Sequence, residues 1–435
     1  MKRRSSVAFG FLALIAIGAT MLAMPWARSA GTWGRWDEAL FTACSAVCVT
    51  GLTVVDVSRE FTREGLIALM ALVELGCLGL VTCGTFIMLA IGRRISLNSE
   101  FSIMNAYGAP AVRGLKGLVV WVVGSMMVIQ ALGATALHLQ GYGIFESVFY
   151  SVMNFCNAGF SMREGSLATW ADDPYAIATM GALVILGGIG FLVMFNLLTF
   201  RFRGRRGRAR LSLHSWTLLR FTFYLVLVAY AAFLAIEWDE SLAGMTTAKK
   251  LWVGFYQALT PRTCGFAIVP TETLQPITRL IYGVLMFFGG APGSACGGLK
   301  VTTLAVLVYT LIAMCRGEGE TVISKKAIST EIVREAIVIL VVLLGMILVA
   351  AGALFITESE GAASTEALFF EAVSAVTTTG LTFGGTTANL SSAGRAVIML
   401  AMFCGRLGAL TVVMMIGDRE SKKLVRHPNE ELVVG

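Results

Sequence analysis

Four phenylalanines in this chain are each followed, ten residues on, by glycine and then by leucine or phenylalanine. They run Phe41 to Gly51-Leu52, Phe149 to Gly159-Phe160, Phe255 to Gly265-Phe266 and Phe370 to Gly380-Leu381. The loops that end at these glycines read Val49-Thr50-Gly51, Asn157-Ala158-Gly159, Thr263-Cys264-Gly265 and Thr378-Thr379-Gly380. Glycine permits backbone angles that turn consecutive carbonyls toward one axis. A ring of such carbonyls can stand in for the hydration shell of a monovalent cation such as K+. The neighbouring side chains are short or neutral, so the backbone is the expected ligand at these positions. Four glycine-ended helix caps are the alternative. The matched register of all four motifs favours the ion site.

The elements that would position these loops are hydrophobic. The chain is 56% hydrophobic and only 14% charged, with a mean hydropathy of +0.77, which excludes a soluble protein. Apolar stretches long enough to cross a bilayer's hydrocarbon core lie near 7–26, 65–91, 115–138, 175–200, 215–236, 333–356 and 395–416, and a longer one runs from 277 to 314. Between them sit segments too short to span, at 36–50, 144–158, 248–264 and 365–379. Asp37-Glu38, Ser147 and Thr365 are expected N-caps or first-turn residues of short re-entrant helices. The carbonyl ends of such helices carry partial negative charge and would favour a cation.

Basic residues cluster at Lys2-Arg3-Arg4, Arg93-Arg94, Arg201–Arg210, Arg316–Arg334 and in the tail at Lys422, Lys423 and Arg426. The positive-inside rule places those segments and both termini in the cytoplasm, and all four glycine loops outside. The N-terminal run ending at Ala27-Arg28-Ser29-Ala30 imitates a secretory signal, but its apolar stretch is too long, and we read it as a retained first helix. The expected fold is an all-α membrane protein. It has eight transmembrane helices in four parallel helix–pore-loop–helix repeats around a pseudo-fourfold central pore. The repeats cover residues 1–92, 93–203, 204–316 and 317–418, with a cytoplasmic tail at 419–435.

The third repeat departs from the others. Gly289-Gly290-Ala291-Pro292-Gly293-Ser294-Ala295-Cys296-Gly297-Gly298 cannot hold a regular helix, so its last span is expected to be broken by a flexible intramembrane loop. A gate below the filter and a packed kink are the two readings of that loop, and we favour the gate. Lys300 next to it either snorkels to the inner surface or acts electrostatically. Arg406 lies in an otherwise apolar run and is read as a pore-facing positive charge that limits cation flow. Glu38, Glu146 and Asp56 are either solvated caps or acids at the pore mouth.

Other classes fare worse. The basic stretch Arg201–Arg210 joins two spans, so no nucleic-acid partner is expected, and membrane lipid is the surrounding partner. Three histidines and scattered cysteines offer no metal-site spacing, no cofactor and no enzyme's catalytic cluster. An organic-solute secondary transporter would show inverted repeats, whereas these repeats share one orientation.

These residues resemble the Trk/Ktr/HKT superfamily of potassium transporters, and most closely its KtrB-type membrane subunit. Ser45–Asp56 is similar to that family's first pore loop, Gly289–Lys300 to its intramembrane gating loop, Gly405-Arg406 to the basic position of its last helix, and the tail Arg426–Gly435 to KtrB ends. One departure is Glu74-Leu75-Gly76-Cys77, where the family commonly has a Gln-Ile-Gly-Gly-like stretch. The resemblance implies potassium uptake, often Na+-dependent, by a homodimer with one pore per chain in a bacterial cell (inner) membrane. It also implies a cytosolic ring of nucleotide-binding, KtrA-like regulatory subunits. Sodium or another monovalent cation is the alternative cargo.

Overall fold

The structure, a computed structural model, describes residues 2–79, 115–203, 212–359 and 363–409. Arg93, Arg94, the linker from 204 to 211 and the tail from 410 lie outside the described residues. Among the described residues the regular structure is helical apart from a two-stranded ribbon, Val322–Ile323 with Lys326–Ala327.

Four helices of 12 or 13 residues recur: Trp36–Val47, Ile144–Cys156, Thr247–Leu259 and Thr365–Val376. Each follows a longer outer helix, in order Lys2–Ala23, Leu115–Leu139, Leu213–Glu237 and Thr330–Thr357. Each precedes an inner helix, in order Arg63–Leu78, Pro174–Ile189, Pro276–Phe287 and Ser392–Leu407. Among the described residues, Val119–Leu139, Leu213–Glu237 and Thr330–Thr357 are long and apolar enough to cross a membrane, and Pro174–Ile189 with Phe191–Leu197 is a fourth candidate bent by 100°. The chain is thus an all-α membrane protein.

Local chemistry sets the starts of these helices. Thr62, Asp173 and Ser391 accept backbone N–H bonds at three inner-helix N-termini, and Pro276 stands in the first turn of the other. At the short helices, Thr246 and Ser364 are the capping side chains, while Arg35 and Gly143 hold the other two cap positions without a side-chain bond. Ser147 and Thr365 are therefore not caps: Thr365 is a first-turn residue, directly after the cap Ser364, and Ser147 lies four residues past Gly143. Asp37 and Glu38 do occupy a first turn. The Ala27-Arg28-Ser29-Ala30 stretch is folded in. Buried Arg28 donates from Nε to the Leu22 carbonyl at 2.9 Å and pairs with Glu60.

The inner helices are interrupted more widely than expected. Arg63–Leu78, Pro174–Ile189 and Ser392–Leu407 end at Gly79, Gly190 and Gly408, with φ of +74°, +85° and +84°. These are left-handed angles that suit glycine and stop a right-handed helix. The stretches 65–91, 175–200 and 395–416, read from hydropathy as single spans, are therefore not continuous helices. Two to four glycines in an otherwise apolar run leave its hydropathy high, so the pattern could not register the break. In the third unit Gly293 (φ +70°), as far beyond its loop glycine as Gly79 and Gly408 are beyond theirs, falls inside a longer interruption, between Phe287 and Val301.

Three residues before those glycines, a second set seats the inner helices on the short ones. A methyl group on Gly76, Gly187 or Gly405 would collide with the carbonyl oxygen of Val47, Phe155 or Val376, respectively. Backbone on both sides of these contacts leaves no side chain to move aside. Gly187→Ala is therefore expected to cost about 3 kcal/mol or more of stability. Gly345→Ala, where nothing lies within 4 Å, should gain about 0.5–1 kcal/mol from helix propensity. Thermal unfolding of the two purified variants in detergent checks the contrast, and equal melting temperatures would refute it.

Candidate functional site

At the C-terminal end of each short helix the chain makes the same abrupt turn. The residue two before each glycine adopts the left-handed region: Val49 at φ +57°, Asn157 at +56°, Thr263 at +63° and Thr378 at +52°. Two threonines and a valine are poor choices for this conformation, which costs roughly 1–3 kcal/mol each where it occurs. The turn sends the following N–H groups back onto the helix. Thr50 N donates to Ser45 O (2.8 Å) and Thr379 N to Ser374 O (2.8 Å), while Gly51 and Gly380 N donate to the Ser45 and Ser374 hydroxyls at 3.0 and 3.1 Å. Ala158 N donates to Met153 O at 2.9 Å, and Cys264 N to Thr260 O at 3.1 Å. Among the described residues no backbone N–H donates to the carbonyls of Val49, Thr50, Thr263, Cys264, Thr378 or Thr379.

The glycines close on one another. A methyl group on Gly51 would overlap the backbone of Gly159, one on Gly159 would lie 2.7 Å from the Gly265 carbonyl carbon, one on Gly265 would lie 2.5 Å from Thr379 O, and one on Gly380 would overlap Thr50 O. Each loop touches the next and the fourth returns to the first. All four glycines line a single cavity of about 610 Å³, which Asp56, Arg59, Glu164 and Glu272 also line. The Cys264 thiol takes no part in this wall, because it sits 3.6 Å from the Tyr256 hydroxyl, which also donates to Asn154 Oδ1 at 2.6 Å.

The segment Gly289–Gly298 packs against the other side of the turns. Its backbone is tied to the broken second inner helix, with Ala291 N on Gly188 O (2.9 Å) and Phe191 N on Gly293 O (3.4 Å). Three cations hold its carbonyls. Arg406 Nη1 donates to Ala295 O at 2.7 Å, Lys300 Nζ to Cys296 O at 2.6 Å and Arg262 Nη2 to Gly289 O at 3.4 Å. Arg406 Nη2 also reaches Gly76 O at 2.5 Å, so its guanidinium bridges the segment to the first inner helix. Arg262, which spacing did not single out, is buried within the third loop.

The acids expected at the mouth are mostly paired. Glu146 bonds Arg163 at 2.6 Å, Glu38 lies 3.5 Å from Arg35 and 3.8 Å from Arg28, and Asp56 caps Ser58 N at 2.9 Å while facing the cavity.

Beyond the glycines, a polar side chain from the short helix props the outgoing strand in three of the loops. Tyr150 OH accepts from Met162 N at 3.3 Å, Gln257 Oε1 from Ile268 N at 3.0 Å, and Glu371 Oε1 from Phe383 N at 3.1 Å. The fully buried Glu371 carboxylate also accepts from the Thr382 and Thr387 hydroxyls, each at 2.5 Å. The signal in the sequence was an acid past the first turn of an apolar short helix, one residue after the motif phenylalanine. Glu371→Ala would remove the acceptor of three donors, of which the buried Thr387 hydroxyl alone would cost about 1–3 kcal/mol. A melting-temperature loss larger than that of Glu371→Gln, which keeps an acceptor, is the expected result in detergent. Indistinguishable Ala and Gln variants would rule out this propping role.

A bundle of apolar helices around such a ring is the architecture of a membrane transporter, with no catalytic constellation among the described residues. The chain belongs to the TrkH family, described as cation transport protein, which it matches over residues 11–426, and it is of the KtrB type within the Trk/Ktr superfamily. It shares 34% identity over 438 residues with Ktr system potassium uptake protein B of Bacillus subtilis (strain 168), covering 99% of this chain and 96% of that one. It shares 31% over 440 residues with the potassium/sodium uptake protein NtpJ of Enterococcus hirae, with the same coverage of 99% and 96%. The crystal structure of the potassium transporter TrkH from Vibrio parahaemolyticus has the same fold, with a TM-score of 0.75 at 15% identity over 94% of this chain and 84% of that one.

Proposed function

We propose that the protein takes up potassium through a selectivity filter made by the four glycine loops. The observation that carries this reading is the closed circuit of glycine contacts from Gly51 through Gly159, Gly265 and Gly380 back to Thr50. Carbonyls left free by the N–H back-bonding would surround the axis, and the C-terminal ends of the four short helices would add negative potential there. In this reading the four units are parallel repeats with pseudo-fourfold symmetry, eight spans and both termini in the cytoplasm of a bacterial inner-membrane protein. Gly289–Gly298 is the gate beneath the filter. A homodimer, a cytosolic nucleotide-binding ring and Na+ dependence are further parts of the proposal, supported by the similarity to Ktr proteins.

The similarity to NtpJ, named a potassium/sodium uptake protein, gives one specific reason for a second reading, in which sodium is also carried. Cells lacking their own potassium uptake test both. Growth at low external K+ on expression of this chain with a cognate regulatory subunit is the expected result, and sodium accumulation without potassium rescue would favour the second reading. No uptake of either ion by well-expressed, folded protein would sink both.

A further inference from the structure

The short helices are joined at their N-terminal ends too, far from the glycines and in the same cyclic order. Arg63, Lys249, Arg279 and Arg395 each lie within the first four residues of a helix. A cation there opposes the positive end of the helix dipole, a cost that a partner can offset. All four find one in a neighbouring unit. The Arg63 guanidinium lies over the Phe145 ring, 4.6 Å from its centroid, and Lys249 Nζ pairs with Asp172 at 2.6 Å. Arg279 Nε pairs with Glu366 at 3.0 Å, and Arg395 Nη1 with Asp37 at 3.4 Å. These contacts share one place in the fold. Each joins the start of one inner helix to the first turn of the next unit's short helix, from first to second, second to third, third to fourth and fourth back to first. Phe145, Glu366 and Asp37 all stand 14 residues before their loop glycines, and Lys249 stands 16 before its own. The chemistry differs from clasp to clasp: a cation on a ring in one, acid and base exchanged between the helices in another. One place served by different pairs points to the contact itself, rather than to any single charge.

We infer that the four clasps form a collar that sets the tilt of the short helices, and through it the spacing of the loop carbonyls at their other ends. A helix of 12 or 13 residues is about 18–20 Å long and moves as a rigid lever, so a shift at its start is carried to its exit turn. The clasp residues are then positioning residues for ion discrimination, which depends on how the ring's oxygens are held. One clasp also reaches a loop directly, because the Arg279 guanidinium lies 4.8 Å from the centroid of Phe383 on the outgoing strand of the fourth unit. The inference rests on the filter reading above and adds to it what keeps the ring at its width.

The test is rubidium uptake, as the potassium tracer, and its competition by sodium in vesicles carrying matched amounts of folded full-length protein. Asp172→Lys and Glu366→Lys set two cations face to face, at Lys249 and Arg279 respectively. Each is expected to lower the preference over sodium by roughly threefold or more. Exchange of the pair, Asp172→Lys with Lys249→Asp, should bring the preference back to within about twofold of the parent. If Glu366→Lys does not yield folded protein, Glu366→Gln takes its place, with a smaller loss in the same direction. An unchanged preference in the folded variants would overturn the inference whether or not their melting temperatures fall, since a merely structural contact lowers stability without altering the ratio. A lowered preference that the exchange does not restore would also overturn it, because the effect would then belong to the charge alone. Gly380→Ser separates this from the filter reading. If it alters the preference while the clasp variants do not, only the collar falls; if it leaves the preference intact, the filter reading itself falls.

Discussion

If the glycine loops are the filter proposed above, Gly380→Ser is expected to reduce potassium uptake at least roughly tenfold and to lower its preference over sodium, the largest effect among the four loop glycines. Two independent penalties meet there. Its φ of +88° is unfavourable for any L side chain, and a β-carbon would overlap Thr50 O, a candidate ion ligand. The neighbouring loop cannot yield, because Thr50 N and Gly51 N are bonded back to Ser45. Gly51 combines φ +94° with overlap of the Gly159 backbone and should follow closely. Gly265 has φ +79° and a clearance of 2.5 Å from Thr379 O. Gly159 carries no positive φ and meets Gly265 at 2.7 Å, so its serine variant should be the mildest. Rubidium uptake and competition by sodium, measured on vesicles with matched amounts of folded protein, give the order. A Gly159 variant more damaged than the Gly380 variant would contradict this steric account.

The second large effect is a gain. Arg406→Ala is expected to raise unregulated cation flux by roughly tenfold or more. It removes charge-assisted bonds worth about 1.5–3 kcal/mol each, and loss of one already shifts a two-state equilibrium by a factor of ten or more. The guanidinium spans from Ala295 O in the intramembrane segment to Gly76 O in the first inner helix, so its loss releases the segment from that wall. A positive charge that merely repels cations predicts the same rise, and Arg406→Lys distinguishes the two. Lysine keeps the charge but lacks the planar fork that reaches both carbonyls. A rise in both variants identifies the tether, and a rise in the alanine variant alone identifies the charge barrier. Unchanged flux in folded Arg406→Ala, verified by its melting transition, would exclude both roles.

The parts of this protein legible in the sequence are those encoded over short distances. A phenylalanine, one turn after another of apolar helix and then a glycine specify a short helix with a sharp exit. The repeat of that pattern could be counted without coordinates. Breaker density marked Gly289–Gly298 for the same reason. The helix stops at Gly79, Gly190 and Gly408 were not legible, because a few glycines in an apolar run read as tolerated and their φ depends on what packs around them. The left-handed angles at Val49, Thr263 and Thr378 run against the preference of those residue types, so no propensity could announce them; only Asn157 suits that conformation.

Composition and periodicity alone determined a membrane protein of repeated hairpins with a glycine loop in each, and the family resemblance added its cation. Tertiary structure decided which groups meet. Gly51 and Gly159 are more than a hundred residues apart, as are Arg406 and Ala295, and spacing says nothing about such pairs. The closure of the glycine circuit, the service of Arg406 as a bridge between carbonyls and the propping of Phe383 by buried Glu371 all arise from contacts between elements. Local sequence sets where each short helix stops, whereas the packing of inner helices against Val47, Phe155 and Val376 sets where the outgoing segments converge.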